Sequence, residues 1–175
     1  AFVPFLKTYY LVTQAVASKH AHHPDFYHDF PAMERLDAHF ASLYFSPLEE
    51  HLSSQNLPTP WQTYFRYCQR PQGLPYLQML LGINAHINGD LPATLVHLNY
   101  RNAQDFLAIN SVLDEQVPGI MRFLALHEHD PFGLGGILFK KFFEHEFQKT
   151  VVRWRTEAWQ NAQLINAGTV PDWHV

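Results

Sequence analysis

Between Leu74 and Asn88 the chain gives a helix no polar side to turn toward water. Leu77, Met79, Leu80, Leu81, Ile83 and Ile87 fall on every side of a 3.6-residue period, and His86 is the sole residue there able to carry charge near neutral pH. Such a helix must be enclosed by others, which predicts an all-α domain built around it. The rest of the sequence agrees, with almost no period-two alternation and no hairpin dipeptide between β-branched runs. With no repeat, no low-complexity tract and no dividing linker in the 175 residues, one compact domain over 1–175 is expected, with about six to eight helices.

Helix boundaries can be read from punctuation. Ser46-Pro47-Leu48-Glu49 and Thr59-Pro60-Trp61-Gln62 both match a capping box with proline at the first helical position, predicting two helix starts. Asp29 can cap a helix from about Pro31 to Phe45. Leu52 to Pro60 and Arg70 to Pro75 read as loops. Asp130-Pro131 with Gly133, Gly135 and Gly136 breaks the chain before a long C-terminal helix. That glycine run lacks the spacing of a nucleotide-binding loop and follows no strand.

Charge and cysteine content exclude several function classes. A formal charge of −4 gives no basic footprint, so no nucleic-acid partner is expected. No apolar run is long enough to span a membrane, and Ala1 to Val12 lacks the cationic start and cleavage region of a signal peptide. The single Cys68 sits among Tyr64, Phe65 and Tyr67 without an evident base, which fits a buried reduced thiol and a cytoplasmic location better than a nucleophile. Protonating all twelve histidines would carry the charge from −4 to +8, so solubility is expected to depend on pH.

The informative residues are polar ones on apolar faces, because a buried polar group must find a partner or lose several kcal/mol. Asp37 falls within the stripe Met33, Leu36, Phe40, Leu43 and Tyr44 and should point inward. On the helix starting near Arg101, Asn110 and Asp114 share a face with Phe106, Leu107, Leu113 and Val117, while Asp105 lies nearer Ile109 and Val112. The last helix carries Phe143, Phe147, Val151, Trp154, Ala158 and Ile165, with Arg155 beside the stripe as a planar counter-ion for an inward aspartate.

The central helix runs into Asn84-Ala85-His86-Ile87-Asn88-Gly89-Asp90. Asn84 and Asn88 share one face, and His86 and Asp90 share nearly the opposite one if the helix continues. Pro92 argues for a kink or break, since its ring would meet the Asn88 carbonyl. In a bland reading Gly89 is a left-handed stop and Asp90 caps the next helix. In the other, a polar site is built on the break.

The run Leu80-Leu81-Gly82-Ile83-Asn84-Ala85-His86-Ile87-Asn88-Gly89-Asp90-Leu91-Pro92 resembles the signature of an uncharacterised, mainly bacterial family, a domain of unknown function. In that signature Asn-Ala-His-Ile-Asn is followed by Asp-Leu-Pro. The resemblance extends to Glu34-Arg35-Leu36-Asp37 with Phe40 and Tyr44, to Pro60-Trp61, to Asp105-Phe106 with Asn110, and to Arg155 with Trp159 and Ala162. It implies an all-α domain whose signature residues are these inward polar groups, and it implies no reaction. The sequence departs from the pattern at Gly89, where the family has a larger polar or aromatic residue.

Two functions fit the pattern. In the first, the bundle core holds a small-molecule or metal-assisted catalytic site, with His86 and Asp90 as i, i+4 ligands of a divalent metal and Asp37 or Asp105 completing the shell. In the second, the chain is a non-catalytic binding or structural domain in which Asp37, Asn84, His86, Asn88, Asn110 and Arg155 form a closed hydrogen-bond network that fixes helix register, and an aromatic-lined pocket above that network would bind a ligand without chemistry. His127-Glu128-His129-Asp130 could grip a cation but reads as a solvated polar turn.

Overall fold

A computed structural model describes residues 3–52, 58–127 and 136–169, and every regular element among them is helical. Seven α-helices follow in order: α1 (Val3–His22), α2 (Phe30–Leu52), α3 (Thr59–Cys68), α4 (Pro75–Asn84), α5 (Leu91–His97), α6 (Ala103–His127) and α7 (Gly136–Asn166). A short 3₁₀ turn, Pro24–Phe26, precedes α2, and a π-helical turn, Ala85–Asp90, joins α4 to α5. α4, that turn and α5 form one continuous rod from Pro75 to His97.

That rod is the centre of the fold, as its apolar circumference requires. α1, α3 and α6 pack on its α4 portion, and α2 and α7 on the π turn and α5. Met79, Leu91, Leu95 and the small Ala85 are buried almost completely along it. Gly82 lets α1 come close, because a Cβ there would lie 2.5 Å from Cγ of Phe5.

The structure corrects several boundaries. Asp29 does cap α2, with Oδ1 accepting from Ala32 N at 3.0 Å, but the helix runs on through Ser46-Pro47 to Leu52. No helix starts at Ser46; the Pro47 ring is buried within α2 instead. The start at Thr59 is real, yet Pro58 is the cap and no capping box forms.

On α6 the buried face is rotated from the expected one. Leu107 is 58% exposed and Asp114 is exposed, whereas Asp105, Phe106, Ile109 and Val112 are buried. On α7 the buried stripe is Phe147, Val151, Arg155, Ala158 and Ala162, so Arg155 belongs to the stripe itself. The break at Asp130-Pro131 and the cluster Glu128-His129-Asp130 lie outside the described residues.

Candidate functional site

The π turn carries the chemistry. Leu91 N–H donates to His86 O, five residues back, where an α-helix would reach four. The wider turn relieves the contact between the Pro92 ring and the carbonyl four residues earlier, so the chain passes through Gly89, Asp90 and Pro92 without breaking. The expected break and the bland capping reading are both replaced. Gly89 is not left-handed, and Asp90 is helical (φ −80°, ψ −34°) with no side-chain cap bond. A Cβ at Gly89 would meet only Pro60 Cγ, at 3.8 Å, so nothing in its surroundings demands glycine.

Freed from capping, Asp90 reaches back to His86, whose Nδ1 lies 2.8 Å from Asp90 Oδ2. The other carboxylate oxygen accepts from Trp61 Nε1 at 3.2 Å. The imidazole is 3% exposed and boxed by aromatic rings: Phe40 stacks on it at 3.5 Å between centroids, and Phe5 and Tyr9 meet it edge-on. Burial pushes the His86 pKa below its ordinary value although Asp90 opposes this, and burial likewise raises that of Asp90. The imidazole is therefore neutral near pH 7. With Nδ1–H donating to Asp90, Nε2 is left as an acceptor, buried and without a partner among the described residues.

His86 lines a partly open cavity of about 110 Å³ between α1, α2, the central rod, α6 and α7. Its walls are mainly apolar, with Asp37 and Arg155 as the charged groups deepest in it and Asp114 an exposed lining residue. Burial pushes the Asp37 carboxyl up to about 6, against the pull of the Arg155 guanidinium. Asp37 makes no hydrogen bond with the described residues, and the expected ion pair is not closed. Arg155 instead donates from Nε to Asn110 Oδ1 at 2.9 Å and from Nη2 to Phe106 O at 3.0 Å, and it lies over the Phe106 ring. Burial brings the guanidinium pKa down to about 10.

Residues 2–173 match a family described as a family of unknown function, DUF5995. The chain belongs to this family. No curated protein and no solved structure matches the chain.

In this DUF5995 member the sequence-derived candidates divide into three groups. His86, Asp37 and Arg155 meet at the cavity, with Asp90 and Asn110 bonded directly behind two of them. Asn84 and Asn88 are exposed and bond each other, Asn88 Nδ2 donating to Asn84 Oδ1 at 2.8 Å. Asp105 is absent from the cavity lining. It is 0% exposed, and its carboxylate accepts from His28 N and Asp29 N, both at 2.7 Å, and from Asn102 Nδ2.

His86 Nδ1 and Asp90 Oδ2 are engaged with each other and Asp90 Oδ1 with Trp61, so the two residues could serve as joint metal ligands only by giving up one of these bonds or by using His86 Nε2. Among the described residues no group of three or more His, Cys, Asp or Glu side chains is placed to hold a metal ion. Sequence reasoning missed Trp61 and Phe40 as parts of the site. The indole N–H of a tryptophan at the start of a buried helix needs an acceptor, and that signal was present in Pro60-Trp61. No helix among the described residues is long and apolar enough to cross a membrane.

Proposed function

We propose that the chain is a small-molecule-binding helical domain whose site is the cavity between α1, α2, α6, α7 and the central rod. His86 is its principal polar contact. The observation that carries this reading is the His86 Nε2 atom, a buried acceptor with no partner, on a residue that lines the cavity. A buried polar atom left unmet costs about 1–3 kcal/mol, a burden that a closed structural network would avoid. An acceptor nitrogen backed by a carboxylate on the opposite ring nitrogen is also the arrangement of a general base.

The alternative, a closed network, is favoured for Asp105 and for the Arg155–Asn110 bond, whose groups are engaged by protein atoms. It leaves His86 unexplained. The test is a phenol titration followed through the side-chain ¹⁵N resonances of His86. A saturable shift at Nε2 that is lost in Leu113→Trp, which fills the cavity from its wall, supports binding there. An unmoved Nε2, or a shift that survives the filled cavity, overturns the reading.

A further inference from the structure

Two neighbouring residues of α2 hold it against the central rod by ring stacking. Phe40 lies flat on His86. His39 lies flat on His97, the last residue of α5, with 4.3 Å between ring centroids and 16° between planes. Neither His39 nor His97 lines the cavity. His39 is half-buried and His97 is exposed.

The His39 ring is also tied down at one nitrogen. Its Nδ1 stands 3.2 Å from the hydroxyl of Thr94, which is 0% exposed and makes no other hydrogen bond among the described residues. A buried hydroxyl needs an acceptor for its hydrogen, so Thr94 donates to Nδ1 and the neutral ring carries its proton on Nε2.

Acid acts against both contacts. A proton on Nδ1 turns that nitrogen into a donor, and the Thr94 hydrogen loses its acceptor. Protonation of both rings sets two positive charges where two neutral imidazoles stack, only 4.3 Å apart. Burial, and then the facing His97, hold the His39 pKa below its ordinary value of 6.5. Below that value an opened α2 therefore gains the proton first, and acid favours the open state. Titratable groups on the packed elements do not relieve this. α2 packs on α5 and on the π turn. α5 carries no titratable side chain besides His97, and His86 and Asp90 of the π turn are bonded to each other. On α2 itself, Arg35, one turn before His39, adds positive charge, and Asp37 lines the cavity.

We infer that His39 and His97 form an acid-opened clasp between α2 and α5. Closed at neutral pH, it holds the α2 wall of the cavity, Leu36, Asp37 and Phe40, against the rod. When the two histidines are protonated, α2 loosens there while the rest of the bundle stays folded. The clasp stands whether or not the cavity takes a ligand.

The full chain is followed from pH 7.5 to 5 by histidine side-chain ¹⁵N spectra and by amide hydrogen exchange. Protection of the α2 amides between Leu36 and Tyr44 is expected to fall about tenfold more than that of the α3 amides. In His97→Gln, which removes a charge from an exposed position, His39 should take its proton at a pH higher by about 0.5 or more, and the α2 loss should shrink. His39→Asn should abolish the loss, because its amide oxygen can accept from Thr94 and cannot be protonated near neutral pH. Either variant decides alone if the other fails to fold.

Equal loss of protection in α2 and α3 would overturn the clasp. So would a His39 titration unmoved by the His97 replacement, or an α2 loss that survives His39→Asn, which would assign the acid response to His86.

Discussion

Asp90 Oδ2 and His86 Nδ1 stand 2.8 Å apart across a single π-helical turn, and this contact fixes which imidazole nitrogen faces away as an acceptor. Replacing Asp90 by Asn removes the charge that favours Nδ1–H and offers an amide that can donate to Nδ1 instead. The neutral ring is then expected to move its proton toward Nε2, converting the acceptor into a donor. The pKa of His86 should fall further, because Asp90 is what opposes its burial. Side-chain ¹⁵N spectra read both effects; an unchanged tautomer would show that other groups set it.

Asp37 and His86 give opposite pH dependences to stability. The Asp37 carboxyl titrates at about 6 in the folded chain against 3.8 as its ordinary value. Between those values the folded state holds the extra proton, so its contribution falls as pH rises through that window, and the full penalty is present above it. Asp37→Asn should therefore stabilise the chain at pH 7, by up to about 3 kcal/mol at ~1.4 kcal/mol per pH unit, and flatten the curve between pH 4 and 6. His86 is held neutral by burial, so below its ordinary value of 6.5 the unfolded chain gains the proton first and stability falls with acid. His86→Phe should remove that decline. Urea unfolding from pH 4 to 8 measures both, and destabilisation by Asp37→Asn at pH 7 would mean that Arg155 depends on the carboxylate charge.

Asp105 ties the segment entering α2 to the start of α6. Its carboxylate accepts two backbone N–H groups and the Asn102 amide, while Asn102 Oδ1 accepts from Asp105 N at 3.0 Å. Asp105→Ala strands two backbone donors and should cost about 3 kcal/mol or more, with Asp105→Asn losing less because one acceptor survives. The urea midpoint measures the loss. His86 resonances should stay in place in the folded variant, since Asp105 does not line the cavity.

The helical class and the central rod were legible because an all-round apolar segment has one stable environment. The inward aspartate on α2 and the shared face of His86 and Asp90 were legible from 3.6-residue spacing. What spacing could not supply was depth. Asn84 and Asn88 follow the same period as the residues before them, yet they emerge from the packed region and bond each other in the open. The π turn was hidden for a related reason. Pro92 signals that an α-helix cannot continue, but whether the chain breaks or widens depends on the helices pressing on it. The contribution of α1 was also obscure, because apolar residues lie all around it and no single stripe marks Phe5 and Tyr9 as the residues meeting His86.

Gly82 shows how closely α1 is set against the rod, and it gives a test of packing near the site. A Cβ there would come within 2.8 Å of three Phe5 atoms, including two ring carbons. Phe5 cannot swing away cheaply, being 2% exposed and held edge-on to Tyr44 at 4.9 Å between centroids. Gly82→Ala is therefore expected to destabilise by about 1–3 kcal/mol through overpacking, although alanine favours the helix by roughly 1 kcal/mol. Because Phe5 also meets His86 edge-on, the displaced ring should shift the His86 resonances in the same variant. Adding Phe5→Ala removes the two nearest obstructing atoms, Cγ and Cδ2, so the double variant should lose less than the two single losses combined. Strict additivity in urea unfolding would show that α1 retreats as a whole and that the contact does not set its approach.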